Sequence, residues 1–219
     1  MELTICSLEE HFYIDGYLES ANHIASWNGN SWNILGTNST SNGVGGIVYA
    51  LAMNGTNNLF VGGSFGSVAG YSILANNIAS WDGNSWNFLG TDSTNNGVNS
   101  GSPVVYALAM NGTNNLFVGG SFGSVAGYSI SANNIASWNG NSWKILVTNS
   151  TNNGVNDQVY ALAMNGTNNL FVEFVPNIFH EFPSQDAILL AEIEYPSTLV
   201  NEPPTTNKLF VPFIARAFT

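Results

Sequence analysis

Three similar loops contain the side chains best suited to binding a metal ion. Residues 38–43, 92–97 and 149–154 have the sequences NSTSNG, DSTNNG and NSTNNG. Alternating oxygen-bearing side chains followed by glycine also occur in calcium-binding loops. Each loop has at most one carboxylate, however, and no glutamate follows at the closing position. Asn and Ser side chains that bond to their own backbone explain the composition more simply, so we expect Asx turns without calcium.

Other groups that could do chemistry are few and scattered. A nucleophile, base and orienting acid would have to come together from side chains that do not recur with the repeats. Glu192 and Glu194 are two residues apart and could form an acid and base pair, but a solvated strand face explains them better. The histidines and the single cysteine are His11, His23, His180 and Cys6. The sequence therefore predicts no enzyme, no cofactor and no metal site.

Asparagine-rich turns also create sequons for N-glycosylation. These triplets would be glycan acceptors in a secreted protein, although turns rich in Asn and Thr produce them by chance. The N-terminus has no basic segment before an apolar run, so no signal peptide is predicted. No apolar run reaches the roughly 18 residues of a membrane-spanning helix. The sequence does not predict the compartment. The five sequons begin at Asn38, Asn54, Asn111, Asn149 and Asn165.

The charge of the chain excludes two classes of partner. Its 219 residues include 14 Asp and Glu but only 3 Lys and Arg, which gives a formal net charge of −11. Binding to nucleic acid or to an anionic membrane needs clustered basic side chains, so neither is expected. Most of the acid lies in two flanks, since residues 21–172 contain few charges. These are Asp82, Asp92, Asp157 and Lys144.

The body of the chain is an internal repeat with a period of 54–57 residues. The phrase NNIASWDGNSWNFLG at 76–90 recurs with small changes at 22–36 and 133–147. Residues 49–73 and 106–130 are identical. Such similarity indicates duplication within the gene, and it means that each copy folds into the same structural unit.

Each complete copy predicts four β-strands. They are VYALAM, NLFVGGSF, NIASW and SWNILG or its variants, and none has the apolar period of a helix. The last two strands are separated by dipeptides that predict two-residue hairpins with positive φ at both central positions. These dipeptides are Asn28-Gly29, Asp82-Gly83 and Asn139-Gly140.

Alternation along the first strand predicts two apolar faces. One face has large side chains and the other has small ones, so we expect a strand that is buried on both sides by neighbouring sheets. Four-stranded antiparallel units of this kind, repeated in series, are typical of β-propeller blades. The large face is Tyr49, Leu51 and Met53, and the small face is Val48, Ala50 and Ala52.

A double glycine on the second strand, an aromatic residue on the third and Trp on the fourth resemble the kelch-like, galactose-oxidase-type β-propeller repeats. The resemblance covers roughly residues 14–172. It departs from the family in lacking the usual basic residue between blades and in replacing the third double glycine by Glu173-Phe174. The oxidase chemistry that the resemblance implies needs a Cys–Tyr crosslink and paired His ligands, which do not recur here. The residues carrying the motif, expected to pack blade against blade, are Gly62, Gly63, Gly119, Gly120, Trp27, Trp32, Trp81, Trp86, Trp138 and Trp143.

These observations predict an all-β, propeller-type array of about three to four four-stranded antiparallel blades, whose ring need not be complete. We expect a degraded partial blade at 1–20, the repeat body at 21–172 and a divergent acidic tail at 173–219, which could form a degenerate blade. The predicted function is a non-enzymatic scaffold for a protein partner or for self-association. A carbohydrate-binding surface propeller and a fragment of a larger propeller gene are the alternatives.

Overall fold

The computed structural model describes residues 12–13, 20–55, 58–69, 73–126, 131–146, 153–165 and 169–174. The chain divides into two units, Met1–Ile178 and Phe179–Thr219, and every described residue lies in the first. The described residues form several antiparallel sheets and contain no helix, which confirms the all-β class. They do not form a closed ring of sheets. Most of the predicted segments 1–20 and 173–219 lie outside the described residues.

Short strands form the N-terminal part. β3 and β4 are paired along their whole length, with Trp27 opposite Trp32, and are called the N-terminal hairpin. β1 pairs with β2, and β5 with β6. The bounds are β1 (Phe12–Tyr13), β2 (Ser20–Ala21), β3 (Ala25–Trp27), β4 (Trp32–Ile34), β5 (Gly36–Asn38) and β6 (Ser41–Asn42).

The first sheet has the strand order β11-β10-β8-β7, with β9 paired to β8 beside this path. Its two long strands are β7 and β8, and Asn54 N donates to Asn58 O at 3.0 Å between them; the last two residues of the predicted NGTN turn lie outside the described residues. The order along the sheet follows the order along the chain, as in an antiparallel meander. The bounds are β7 (Val44–Met53), β8 (Leu59–Val68), β9 (Ile73–Leu74), β10 (Ile78–Trp81) and β11 (Trp86–Phe88).

The second sheet repeats this order, and a C-terminal hairpin of two strands follows it. The second sheet is β13-β14-β16-β17, β12 pairs with β15, and the C-terminal hairpin is β18-β19. The bounds are β12 (Val98–Asn99), β13 (Val104–Asn111), β14 (Asn115–Ser121), β15 (Ser124–Val125), β16 (Ile135–Trp138), β17 (Trp143–Ile145), β18 (Val159–Met164) and β19 (Leu170–Phe174).

Two hydrophobic cores lie between consecutive sheets. The first joins Ile24 and Leu35, from the N-terminal hairpin and its flanks, to one face of the first sheet. The second joins the other face of the first sheet, including Phe60, to Val105 and Leu116 of the second sheet. The four-stranded units therefore stack in chain order, each burying both faces against its neighbours.

The faces predicted for the first strand are wrong at Val48 and Tyr49, because each copy contains a β-bulge at its tyrosine. The pairing of β7 with β8 shifts between Val48 and Ala50, so Tyr49 is the extra residue. As a result Val48 lies on the same face as Leu51, and both pack in the first core. Ala52 packs in the second core, and Tyr49 is exposed. Both faces of the strand are covered, but the large aromatic side chain belongs to neither.

The three predicted hairpins are confirmed, but their turns lie one residue further along. In the second copy Asp82 N donates to Ser85 O at 3.2 Å, so Gly83 and Asn84 are the central residues. Only the glycine has positive φ, at 96°. In a two-residue hairpin the Ser85 N–H would donate to the Asp82 carbonyl. Here it donates to the Asp82 carboxylate at 2.7 Å. Side-chain capping by Asp82 therefore decides the turn geometry.

Candidate binding surface

Three tyrosines from three successive units form a continuous aromatic row, which we call the tyrosine strip. Tyr49 of β7, Tyr106 of β13 and Tyr160 of β18 follow one another across the stack. The ring centroids of Tyr49 and Tyr106 are 5.4 Å apart, and those of Tyr106 and Tyr160 are 5.0 Å apart and stacked. Tyr49 is 49% exposed and Tyr160 is 44% exposed. The strip is therefore an ordered aromatic surface open to solvent.

The β-bulges determine where the strip lies. Each of the three tyrosines sits at a shift in strand pairing, so each ring leaves the sheet at the same point of its unit. Burial raises the pKa of the central Tyr106, with further contributions from Tyr160 and then Tyr49. Offset or edge-on contacts of this kind contribute about 0.5–1.5 kcal/mol per pair beyond area burial. The rings thus hold one another in a fixed row.

Hydrogen bonds from tryptophan link one unit to the next. Trp86 Nε1 donates to the Leu35 carbonyl at 2.7 Å, and Trp143 Nε1 donates to the Leu89 carbonyl at 2.9 Å. Each bond joins the fourth strand of one unit to the end of the fourth strand of the preceding unit. Because both indoles are almost completely buried, these bonds satisfy polar groups that would otherwise lie in the core.

The other tryptophans of the motif complete three cross-strand pairs. Trp27 faces Trp32, Trp81 faces Trp86, and Trp138 faces Trp143, with ring centroids 5.4–5.5 Å apart. Trp138 is buried, while Trp27, Trp32 and Trp81 are half-buried. All six rings belong to these cross-strand pairs, and none belongs to the tyrosine strip.

The motif glycines lie where two backbones or two units approach closely. A Cβ on Gly62 or Gly119 would overlap the side chain of a valine from the next unit, Val105 or Val159. Gly63 and Gly120 instead face the main chain of their own first strand, beside the bulge. The carbonyl oxygens that a Cβ would meet there are those of Ile47 and Val104. The glycines position the strip indirectly, because they allow the units to stack.

Paired asparagines form a link that the sequence analysis missed. Asn76 N donates to Asn96 Oδ1 at 2.8 Å, and Asn76 Nδ2 donates to the Asn96 carbonyl at 3.2 Å. Asn22 and Asn42 make the same two bonds at 2.9 and 3.0 Å. Asn42 and Asn96 are fully buried. These side chains fix the loops to the third strand, so they serve the fold and are not free to bind a ligand.

The loops that resemble calcium sites use their oxygen atoms internally. Asp92 Oδ1 accepts from Thr94 N at 2.8 Å, Thr94 Oγ1 at 2.7 Å and Asn95 N at 2.8 Å. Asn38 Oδ1 accepts in the same way from Thr40 and Ser41. The predicted Asx turns are confirmed in these two loops. The first residues of the third loop, with Asn149, lie outside the described residues.

Two exposed carboxylates have lowered pKa values because they accept several hydrogen bonds. The backbone N–H of Ser85, then that of Asn84 and the Ser85 hydroxyl, lower the pKa of Asp82 to about 2. The Thr94 hydroxyl and the N–H groups of Thr94 and Asn95 lower the pKa of Asp92. Hydrogen bonds that favour the ionised form produce such shifts at the surface without an ion pair.

We expect Asp82→Asn to remove part of the acid sensitivity of the fold. Because the folded-state pKa is depressed, the stabilisation from ionised Asp82 is complete above its ordinary pKa of 3.8 and disappears as the pH falls towards about 2. Asn28 and Asn139 occupy the same position in the other copies. Melting temperatures of both proteins between pH 2 and 7 should differ most at neutral pH and converge in acid. A constant difference across this range would contradict the prediction.

The remaining candidate residues are not brought together. Among the residues that the structure describes, no three His, Cys, Asp or Glu side chains could jointly hold a metal ion. His23 has φ of 59° and lies just before β3, the first strand of the N-terminal hairpin. No helix in the described part is long and apolar enough to cross a membrane. Cys6, His11, His180, Glu192 and Glu194 lie outside the described residues.

Comparison with known proteins adds no further constraint. No protein-family model, curated protein or solved structure matches this chain.

Proposed function

We propose that this chain is a non-enzymatic, kelch-like repeat protein of the β-propeller type, and that it acts as an interaction scaffold whose contact surface is the tyrosine strip. The strip is the observation that carries the proposal. It places two half-exposed aromatic rings, Tyr49 and Tyr160, on either side of the more buried Tyr106. Tyrosine is enriched at protein interfaces because it combines a large apolar area with a polar hydroxyl.

Rigidity supports a binding role for this row. The tyrosines are on paired strands, and their rings are already in contact before any ligand arrives. A pre-organised aromatic surface loses little side-chain entropy on binding. The Trp and Asn links between and within units keep the strands in place, so a partner would meet the same spacing in every molecule.

The charge distribution supports contacts that are apolar and hydrogen-bonded. Residues 21–172 contain only Asp82, Asp92, Asp157 and Lys144 as charged groups, and the first two already accept hydrogen bonds within their own turns. Electrostatic steering of a partner by this body would be weak. Affinity would then come from the aromatic row and the backbone around it.

The test is binding to peptides selected from a random library displayed on phage. We expect the intact chain to select peptides, and Tyr49→Ser/Tyr160→Ser to weaken their binding at least about tenfold in calorimetry, equivalent to about 1.4 kcal/mol. Both substitutions are at half-exposed positions, so a retained β-sheet circular dichroism spectrum is expected.

Leu74→Ser is the matched control, because Leu74 is an exposed apolar side chain on β9, away from the strip. It should leave peptide binding unchanged. Peptide binding that survives the double tyrosine substitution would contradict the strip as the contact surface. Strip-dependent binding on a glycan array, without peptide binding, would replace the protein partner by a carbohydrate.

A further inference from the structure

The two ends of the described array are complementary halves of one four-stranded unit. The N-terminal hairpin, β3–β4, has the sequence of the third and fourth strands, which are β10 and β11 in the first sheet. The C-terminal hairpin, β18–β19, has the sequence of the first strand, β7, and of the start of the second, β8, up to the replacement of the double glycine by Glu173-Phe174. The described residues therefore contain two complete four-strand sets and two different halves.

In a complete sheet the second strand pairs with the third, as β8 with β10 and β14 with β16. Each half has an open edge on the strand that would make this pairing. Among the described residues, β19 pairs only with β18, and β3 only with β4. Unpaired backbone groups along such an edge favour pairing with another strand.

The C-terminal hairpin also leaves an apolar face uncovered. Phe171 is 58% exposed, whereas its equivalent Phe60 in the first sheet is 7% exposed against the second sheet. Ala163 is exposed, whereas the equivalent Ala109 is buried. In the first and second sheets, the corresponding face is covered by the next unit along the chain.

The N-terminal hairpin shows the matching feature on its opposite face. Trp32 is half-buried, whereas the equivalent Trp86 and Trp143 are buried against the preceding unit. Leu146, which occupies the position of the acceptors Leu35 and Leu89, follows the last tryptophan of the series. A Trp32 indole from another molecule could donate to its carbonyl as Trp86 and Trp143 do within the chain.

We propose that two copies of the chain join end to end, with β19 of each copy pairing with β3 of the other. Each of the two junctions would complete a four-stranded unit from two halves. The described residues of one chain hold two whole units and two halves, equivalent to three units, and those of a pair are equivalent to six, which lies within the roughly four to eight blades of closed propellers. Closure within the described part of one chain would give only three. The pair would have two-fold symmetry with two identical junctions.

Repetition predicts the pairing of the junction residue by residue. Phe60 faces Ser80 in the first sheet, and Phe117 faces Ser137 in the second. Phe171 of one copy should therefore face Ser26 of the other. Facing residues in an antiparallel pair have Cα atoms about 4.5–5.5 Å apart, which suits a disulfide bond.

The test is disulfide crosslinking of full-length chains in which Cys6 is replaced by Ser. Mixing the Ser26→Cys chain with the Phe171→Cys chain under mild oxidation should give a covalent dimer on a non-reducing gel. A chain that carries both cysteines should also form covalent dimers. Crosslinking of that chain within itself, with no dimer in the mixture, would overturn the proposal and indicate intramolecular closure.

Asn33→Cys is the control for the register. Asn33 lies on β4 opposite Ser26, one strand further from the junction. Two strand spacings separate it from Phe171 of the partner, about 10 Å, which is too far for a disulfide bond. The Asn33→Cys chain mixed with the Phe171→Cys chain should remain monomeric on the gel. Equal crosslinking at positions 26 and 33 would contradict the proposed pairing.

Sedimentation equilibrium of the unsubstituted chain gives a second measurement that needs no engineered cysteine. The expected mass is that of two 23.3 kDa chains. Ala163→Arg should shift it towards one chain without changing the circular dichroism spectrum, because Ala163 is exposed in the single chain. A monomer at every concentration would overturn the proposal. Leu74→Ser is the control, because Leu74 is an exposed residue of β9 and lies in neither hairpin, and it should leave the mass unchanged.

Discussion

Replacing Trp86 by alanine is expected to lower the free energy of unfolding by about 3–5 kcal/mol. Trp86 is 4% exposed and packs in the core between the N-terminal hairpin and the first sheet. Its indole also donates to the Leu35 carbonyl at 2.7 Å. The substitution therefore removes a large apolar side chain and a link between two units, and the rigid neighbouring strands cannot collapse fully into the cavity.

Urea unfolding followed by circular dichroism measures this loss. Trp143→Ala repeats the test in the second core, where Trp143 donates to the Leu89 carbonyl, and a similar loss is expected. Asn87→Ala is the matched control, because Asn87 is exposed on the opposite face of β11, and it should change stability by no more than about 0.5 kcal/mol. A loss near zero for Trp86→Ala would show that the indole is not a packing residue.

A conservative variant separates packing from hydrogen bonding. Trp86→Phe keeps an aromatic ring but removes the indole N–H. The Leu35 carbonyl also accepts from Gly43 N at 2.9 Å, so it would not be left without a partner. We therefore expect Trp86→Phe to lose much less than Trp86→Ala, with the N–H bond contributing about 1 kcal/mol.

The repeat predicts the strands and hairpins because local signals determine them. Asn-Gly and Asp-Gly dipeptides between apolar runs indicate a hairpin from the sequence alone. The tyrosine strip could not be predicted, because it depends on a bulge. Both faces of VYALAM are apolar, so inserting Tyr49 as an extra residue leaves a pattern that still alternates. Only the pairing with β8 shows that Val48 and Leu51 share a face.

The buried asparagines were missed for a related reason. Asn42 and Asn96 lie in segments rich in Asn, Ser and Thr, where exposed Asx turns are expected. Their partners, Asn22 and Asn76, are in both cases 20 residues earlier in the chain. This constant separation is the one signal in the sequence. It becomes informative only when the fold places the two positions side by side.

Gly63→Ala is expected to destabilise the fold by about 1–3 kcal/mol or more, whereas Gly66→Ala should be tolerated. Both glycines are on β8. A Cβ on Gly63 would overlap the Ile47 carbonyl oxygen and approach the Val48 Cα, which are main-chain atoms beside the bulge. They cannot move without disturbing the pairing of β7 with β8. A Cβ on Gly66 would meet no atom within 4 Å, and its φ is not in the left-handed region.

Urea unfolding of the two alanine variants gives the free energy of unfolding of each. The difference between them separates the overlap of the new Cβ with the main chain from the general effect of replacing a glycine. Gly66→Ala should be neutral or stabilising by up to about 1 kcal/mol, because alanine reduces the entropy of the unfolded chain. Gly120→Ala repeats the test in the second sheet, where a Cβ would overlap the Val104 carbonyl oxygen. If Gly63→Ala and Gly66→Ala had equal effects, the close approach of the Ile47 carbonyl oxygen would not restrict the residue at position 63.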